Sequence, residues 1–197
     1  LIEEKIMILD NYVTLKISSE KYNQYFSPEI DKTQLPENFY DLRKKGENDN
    51  YLCKLIREDL IENFIVYMNK NCISINSTIK PSIYETNSFL IKKQNESKSK
   101  NNGFTLIEYA AFFGSIQIFN YLRMEGAEMT SSLWLYSIHG SNADLIHLLE
   151  ENHIKVDYRK CFKESIKCNN NDFANYFLNN YLHNDDEKSN EIFIKSL

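Results

Sequence analysis

The chain of 197 residues predicts an all-α fold: a solenoid of short helical pairs behind an N-terminal helical region, with little or no β-structure. Three observations carry this. The segment Gly103–Ala127 has the punctuation of one helix-turn-helix unit. Thr105 can cap a first helix, Ala110 and Ala111 keep it thin, Gly114 supplies a tight turn and Gly126 ends the second helix. The same template then recurs downstream at nearly constant spacing. Finally, a unit this short cannot bury its own apolar face, so it must stack on copies of itself.

Taken in order, residues 2–15 carry a helical stripe of Ile2, Ile6, Leu9 and Val13. Ser18 or Ser19 can cap a helix bearing Tyr22, Tyr25 and Phe26, and Ser27-Pro28-Glu29 reads as another helix start. Leu35-Pro36-Glu37 opens a helix that runs through Leu42 and ends at Gly46. These form an N-terminal helical region, 1–50. A degenerate pair follows at 51–71. Leu52, Leu55 and Ile56 face inward, Glu58-Asp59 turns, and Ile61, Phe64, Tyr67 and Met68 make the second stripe. Cys72-Ile73-Ser74-Ile75 alternates like a short extended piece, and 78–102 reads as a loop with one helical turn within 82–89 and a polar, low-complexity tail.

The strong unit spans 103–130, with Ile116, Phe119, Tyr121 and Leu122 as its second buried stripe. A shift of 27 maps Thr105, Ala110, Ala111 and Gly114 onto Ser132, Ser137, Ile138 and Ser141, giving a unit at 131–157. A further shift of 28 places Phe162, Ser165, Ile166, Asn169, Phe173, Ala174 and Phe177 on the same template, a unit at 158–183. Residues 189–197 look like the start of another. Their apolar Ile192, Phe193, Ile194 and Leu197 are expected to continue into further repeats of a longer chain.

On these residues the chain resembles the ankyrin-repeat family. Gly103, Thr105, Ile107, Ala110, Ala111, Gly114, Ile118, Phe119, Leu122, Gly126 and Ala127 match its pattern in register. Two positions depart: Leu106 stands for the usual Pro and Glu108 for the usual His, so the stapling between neighbouring units must differ. The spacing of 27 and 28 is shorter than the usual repeat of about 33. The deficit falls where the projecting hairpin finger lies, which implies stubby or absent fingers and almost no strand. Tyr40-Asp41-Leu42-Arg43 and Leu133–His139 look like a short-period ankyrin subfamily of protozoan parasites, a resemblance covering 39–197.

The resemblance implies a non-enzymatic protein-protein interaction module, a scaffold or adaptor needing no cofactor. Binding would use the residues before each first helix and at its far end: Asn101, Asn102, Phe104, Phe112 and Phe113, then Ser131, His139 and Gly140, then Arg159, Lys167 and Cys168. Phe112 and Phe113 divide between interface and inter-repeat packing. Two alternatives stand beside this: a structural subunit of a larger assembly, and an all-α ligand-binding or enzymatic domain, which would need a deep pocket with convergent polar groups.

Composition narrows the field. A net charge of −5 argues against a nucleic-acid partner. Arg43-Lys44-Lys45 suits a helix C-terminus, with a localisation signal as the other reading. Cys53, Cys72, Cys161 and Cys168 form no C-x-x-C pair and are expected as thiols. Pairing His147 and His153 with Cys161 and Cys168 around zinc is geometrically possible, yet the spacing does not require it, so no metal is expected. Cys168 has no sequence neighbour that marks it as activated, and Trp134 is read as a core residue, with an interface hot spot as the alternative. Glu150-Glu151 and Asp185-Asp186 read as solvated helix ends. No stretch approaches the length of a membrane span, and Leu1–Lys5 is neither a signal peptide nor an initiator. A protein partner in a cytoplasmic setting, or a nuclear one, is the expectation, in a chain whose numbering begins inside a longer protein.

Overall fold

A computed structural model describes residues 38–80, 82–91 and 103–182. These are mostly helical. The chain divides into two compact units, one comprising residues through Asp49 with Lys80–Gly103, the other Asn50–Ile79 with Phe104–Leu197. The expected helices of 1–37, the loop tail 92–102 and the unit start at 189–197 lie outside the described residues, as do Asn101, Asn102 and Asp185-Asp186.

In the first unit, α1 (Phe39–Lys45) carries Arg43, Lys44 and Lys45 in its last turn and ends at Gly46, which is left-handed at φ 71°. The basic run therefore sits where the helix dipole favours cations. Phe39 is buried and packs on Tyr84 at 5.7 Å. Arg43 donates to the Ile83 carbonyl, Asn48 to Lys80 O (3.1 Å) and Ser82 to Asp49 (2.8 Å). Asn87 accepts from the Phe89 and Leu90 amides and starts the helical turn at 88–91.

The described residues of the second unit form four helical pairs. They are α2 (Tyr51–Arg57) with α3 (Ile61–Lys70), α4 (Leu106–Phe113) with α5 (Ile116–Met124), α6 (Leu133–Gly140) with α7 (Ala143–Glu151), and α8 (Tyr158–Lys167) with α9 (Asn171–Phe177). A π-helical turn, Leu178–Leu182, follows α9. Between α3 and α4 the chain leaves through β1 (Thr78–Ile79) and returns through β2 (Phe104–Thr105), which pair antiparallel with Ile79 opposite Phe104. The extended piece thus falls at 78–79, whereas 72–75 is turn and coil.

The pairs share one turn geometry. Asp59, Gly114, Ser141 and Asn169 are all left-handed, with φ between 49° and 68°, just after the first helix of each pair. The last three are spaced by 27 and 28 positions. The residue after this turn donates its amide back into the first helix: Leu60 to Leu55, Ser115 to Ala110, Asn170 to Ser165. The second helices of the first three pairs end alike, with Cys72, Gly126 and His153 left-handed. There Ile73, Ala127 and Ile154 donate to Met68, Leu122 and Leu149, the six-to-one bond of a Schellman end.

Each first helix buries its apolar residues against its neighbours, α2 on α4, α4 on α6 and α6 on α8, while α3 packs on α5. Leu106, Ile107, Tyr109, Ala110 and Ala111 are fully buried, as are Leu133, Ser137 and Ile138. Each large apolar side chain so covered contributes about 1.5–3 kcal/mol. In the second stripe of the strong unit Ile118 is buried with Phe119 and Leu122, and Ile116 and Tyr121 are only partly covered. In α3 the buried pair is Phe64 and Met68, with Ile61 and Tyr67 at its margins. Trp134 is in the core, its Nε1 donating to Ile154 O at 3.1 Å. Ile166 corrects the template: its predecessors Ala111 and Ile138 are buried, but it is 41% exposed in the last described pair.

Candidate functional site at the ends of the first helices

Glu108 links two neighbouring pairs. Thr105 accepts from the Glu108 amide at 3.3 Å, and Glu108 Oε2 accepts from the Thr105 amide at 3.0 Å, a complete capping box. The other carboxylate oxygen accepts from the Ser132 hydroxyl at 2.6 Å. Ser132 therefore ties α6 to the preceding pair instead of capping its own helix. Further ties run along the turns. Asp59 caps α5 through the Gln117 and Ile118 amides (3.1 and 3.0 Å), Asn142 donates to Gly114 O (3.2 Å), and Asn170 donates to Ser141 (3.1 Å).

Several residues expected at a binding surface converge at the far ends of α4, α6 and α8. Phe112 stacks on the His139 ring with centroids 5.0 Å apart. His139 Nε2 lies 3.1 Å from Glu164 Oε1, and Cys168 Sγ lies 3.4 Å from both ring nitrogens. Lys167 donates to the other Glu164 oxygen at 3.1 Å. The His139 bond holds the Glu164 carboxyl below its usual range against the opposing effect of burial, with Lys167 assisting. Burial, reinforced by the Glu164 charge, pushes the Cys168 thiol up to about 11. At neutral pH this thiol keeps its proton and is a poor nucleophile. Among the described residues, His139, Glu164 and Cys168 are the group whose potential metal-ligand atoms all lie within 4.8 Å of one another.

The remaining expected site residues are placed differently. Phe104 is 1% exposed, filling the interior beside Tyr109 and Tyr136. Phe112 is 8% exposed. Neither reaches an open face, because the adjoining pair covers it. Phe113 is half-buried, against Tyr109 at 4.7 Å and with the Arg57 guanidinium 6.0 Å from its ring centre. Gly140 serves packing: a Cβ there would press on the Ala111 carbonyl oxygen and stand 2.8 Å from Gly114 N. Arg159 lies in the first turn of α8, because Asp157 caps that helix earlier than the template allows. His139 is held in the cluster rather than standing at an exposed end, its side chain 16% exposed. Ser131 and Lys167 are exposed.

Glu164 escaped the sequence reading, and Glu150 was misread in it as a solvated helix end. Glu164 stands four positions before Cys168, the spacing that puts both on one helix face; its partner His139 comes from another helix, so the sequence holds only half of the signal. Glu150 accepts from the Tyr176 and Tyr181 hydroxyls, both at 2.7 Å, and lies 3.2 Å from His147 Nδ1. Burial raises its carboxyl, but these bonds together outweigh burial and leave it below the usual range. It is a hub under the C-terminal turn, not a solvated helix end. A groove of about 310 Å³ beside it is lined by Ile116, Asn120, Asp144, His147, Leu148 and Glu151. The pairing of His147 and His153 with Cys161 and Cys168, which the spacing left possible but did not require, is not the cluster that forms among the described residues. Cys161 is buried, its thiol pushed up to about 12 by desolvation.

No family model, curated protein or solved structure matches this chain. No helix among the described residues is long and apolar enough to cross a membrane.

Proposed function

We propose that this chain is a non-enzymatic protein-protein interaction module, a short-period ankyrin-like solenoid that presents the ends of its first helices to a protein partner. The observation that carries the reading is the recurrence of one left-handed turn after each first helix, at Gly114, Ser141 and Asn169, with side-chain ties between successive pairs. A rigid row of helix ends is a preformed surface, which lowers the entropic cost of binding. The surface so defined uses Ser131, Phe113 and Lys167, with Phe104, Phe112 and Gly140 supporting it from within.

A second reading, a structural subunit of a larger assembly, is favoured by Val66 and Met124. Both are exposed apolar residues (65% and 78%) on α3 and α5, helices that pack together. One experiment separates the two. A photo-crosslinking residue is placed singly at Ser131, Lys167, Val66 or Met124 and irradiated in lysate of the source cells. Adducts to one defined protein from 131 and 167 alone support the module. Adducts from 66 and 124 alone transfer the function to the assembly reading, and none from any position contradicts both.

A further inference from the structure

The His139–Glu164–Cys168 cluster offers an imidazole nitrogen, a carboxylate oxygen and a sulfur from two packed helices. A tetrahedral zinc ion, with bonds of about 2.0–2.3 Å, sets its ligand atoms about 3.3–3.6 Å apart. Nε2–Oε1 is 3.1 Å and Nε2–Sγ is 3.4 Å, two separations near that spacing, and all three candidate ligand atoms lie within 4.8 Å of one another. Glu164 and Cys168 share one helix face, and the stack on Phe112 fixes the plane of the imidazole. Lys167 occupies only Oε2, leaving Oε1 directed at His139. The sulfur rests equidistant from both ring nitrogens and needs to shift toward Nε2 to become a ligand.

We propose that His139, Glu164 and Cys168 bind a borderline-soft divalent cation of the zinc class, which clamps α6 to α8. Thiolate and imidazole select such an ion over magnesium or calcium, which take oxygen ligands. On binding, the Cys168 S–H bond and the His139 Nε2–H bond both break: the thiol proton passes to solvent, the imidazole takes the tautomer with its proton on Nδ1, and sulfur and Nε2 bond the metal. Three protein ligands leave a fourth position for water. The carboxylate and thiolate together balance the charge of the ion.

The test uses the full chain, reduced and stripped with chelator, titrated with Co²⁺ and then Zn²⁺. The expected result is one equivalent of Co²⁺ giving a thiolate-to-metal charge-transfer band, abolished by Zn²⁺, with Zn²⁺ raising the Tm by several degrees. Cys168→Ser loses both the band and the Tm shift, whereas Cys72→Ser, at an exposed thiol, keeps both. Glu164→Gln keeps the band but weakens Co²⁺ binding tenfold or more. A band that is absent, or that survives Cys168→Ser, overturns the site, and unchanged affinity in Glu164→Gln overturns the carboxylate's part in it.

Discussion

The junction between α4 and α6 and the junction between α6 and α8 solve the same packing problem with different chemistry. At the first, Gly114 and Gly140 let backbone meet backbone: a Cβ on Gly114 would stand 2.5 Å from the Gly140 oxygen. At the second, the left-handed positions are held by Ser141 and Asn169, and the place matching Gly140 is Cys168. Its side chain lies against His139, and a polar cluster occupies the junction. A repeated turn therefore does not fix the interface it makes. The residue one step before the turn does, by setting how closely the next helix approaches.

The largest expected effect sits at the glycine junction. Gly140→Val forces a branched side chain onto the Ala111 carbonyl and the Gly114 turn, and should cost about 3 kcal/mol by urea denaturation. At Cys168, by contrast, Cys168→Val should cost under about 1 kcal/mol, because a Cβ is already accommodated there. Equal costs would show the two junctions to be equally tight.

Asp59→Ala removes the cap that reaches across from the first pair to the Gln117 and Ile118 amides, and should cost about 1–2 kcal/mol. A loss near zero would mean that water replaces this tie without penalty.

Acid should weaken the third and fourth pairs more than the first two. Glu150 and Glu164 both have folded-state pKa values held low. Their contribution is fully present above the unfolded carboxyl pKa of about 4.3 and is lost as pH falls through the folded values. Hydrogen exchange should show amides of α7–α9 opening before those of α4 between pH 5 and 3. Glu150→Gln should cost about 1 kcal/mol at pH 7, since the tyrosine hydroxyls then bond a neutral oxygen, and should flatten the acid limb. Simultaneous opening with an unchanged limb would remove these carboxylates from the account.

How much of this was legible in the sequence follows from where each signal lies. The cap at Thr105, the turn at Gly114 and the end at Gly126 are local, and backbone geometry alone demands those residue types. The register of 27 and 28 was legible because small residues recur where helices touch: Ala110, Ser137 and Ser165 are all fully buried. The site was less legible because its contacts cross between pairs. Nothing near Phe112 in the chain says that His139 covers it, and nothing near Glu150 says that Tyr176 and Tyr181 reach back to it. Helix α8 starts early because Asp157 offers a cap that the template lacks, which moved Arg159 into the helix.

That recurring small position gives the smallest prediction. Ser165 donates to Cys161 O at 2.9 Å, while the buried Ser137 hydroxyl has no hydrogen-bond partner. Ser137→Ala should therefore stabilise the fold by about 1 kcal/mol, and Ser165→Ala should be neutral or slightly destabilising. A destabilised Ser137→Ala would indicate a bond in solution that this geometry lacks.

The claim beneath all of these is that the pairs are stacked copies in a register of 27 and 28, with Gly114 of one meeting Gly140 of the next. A double-mutant cycle with Gly114→Ala, Gly140→Ala and the combination tests it most directly. The account predicts a coupling of about 1 kcal/mol or more, because each added methyl presses on the other residue's backbone. Additive costs, each confined to its own turn, would contradict it.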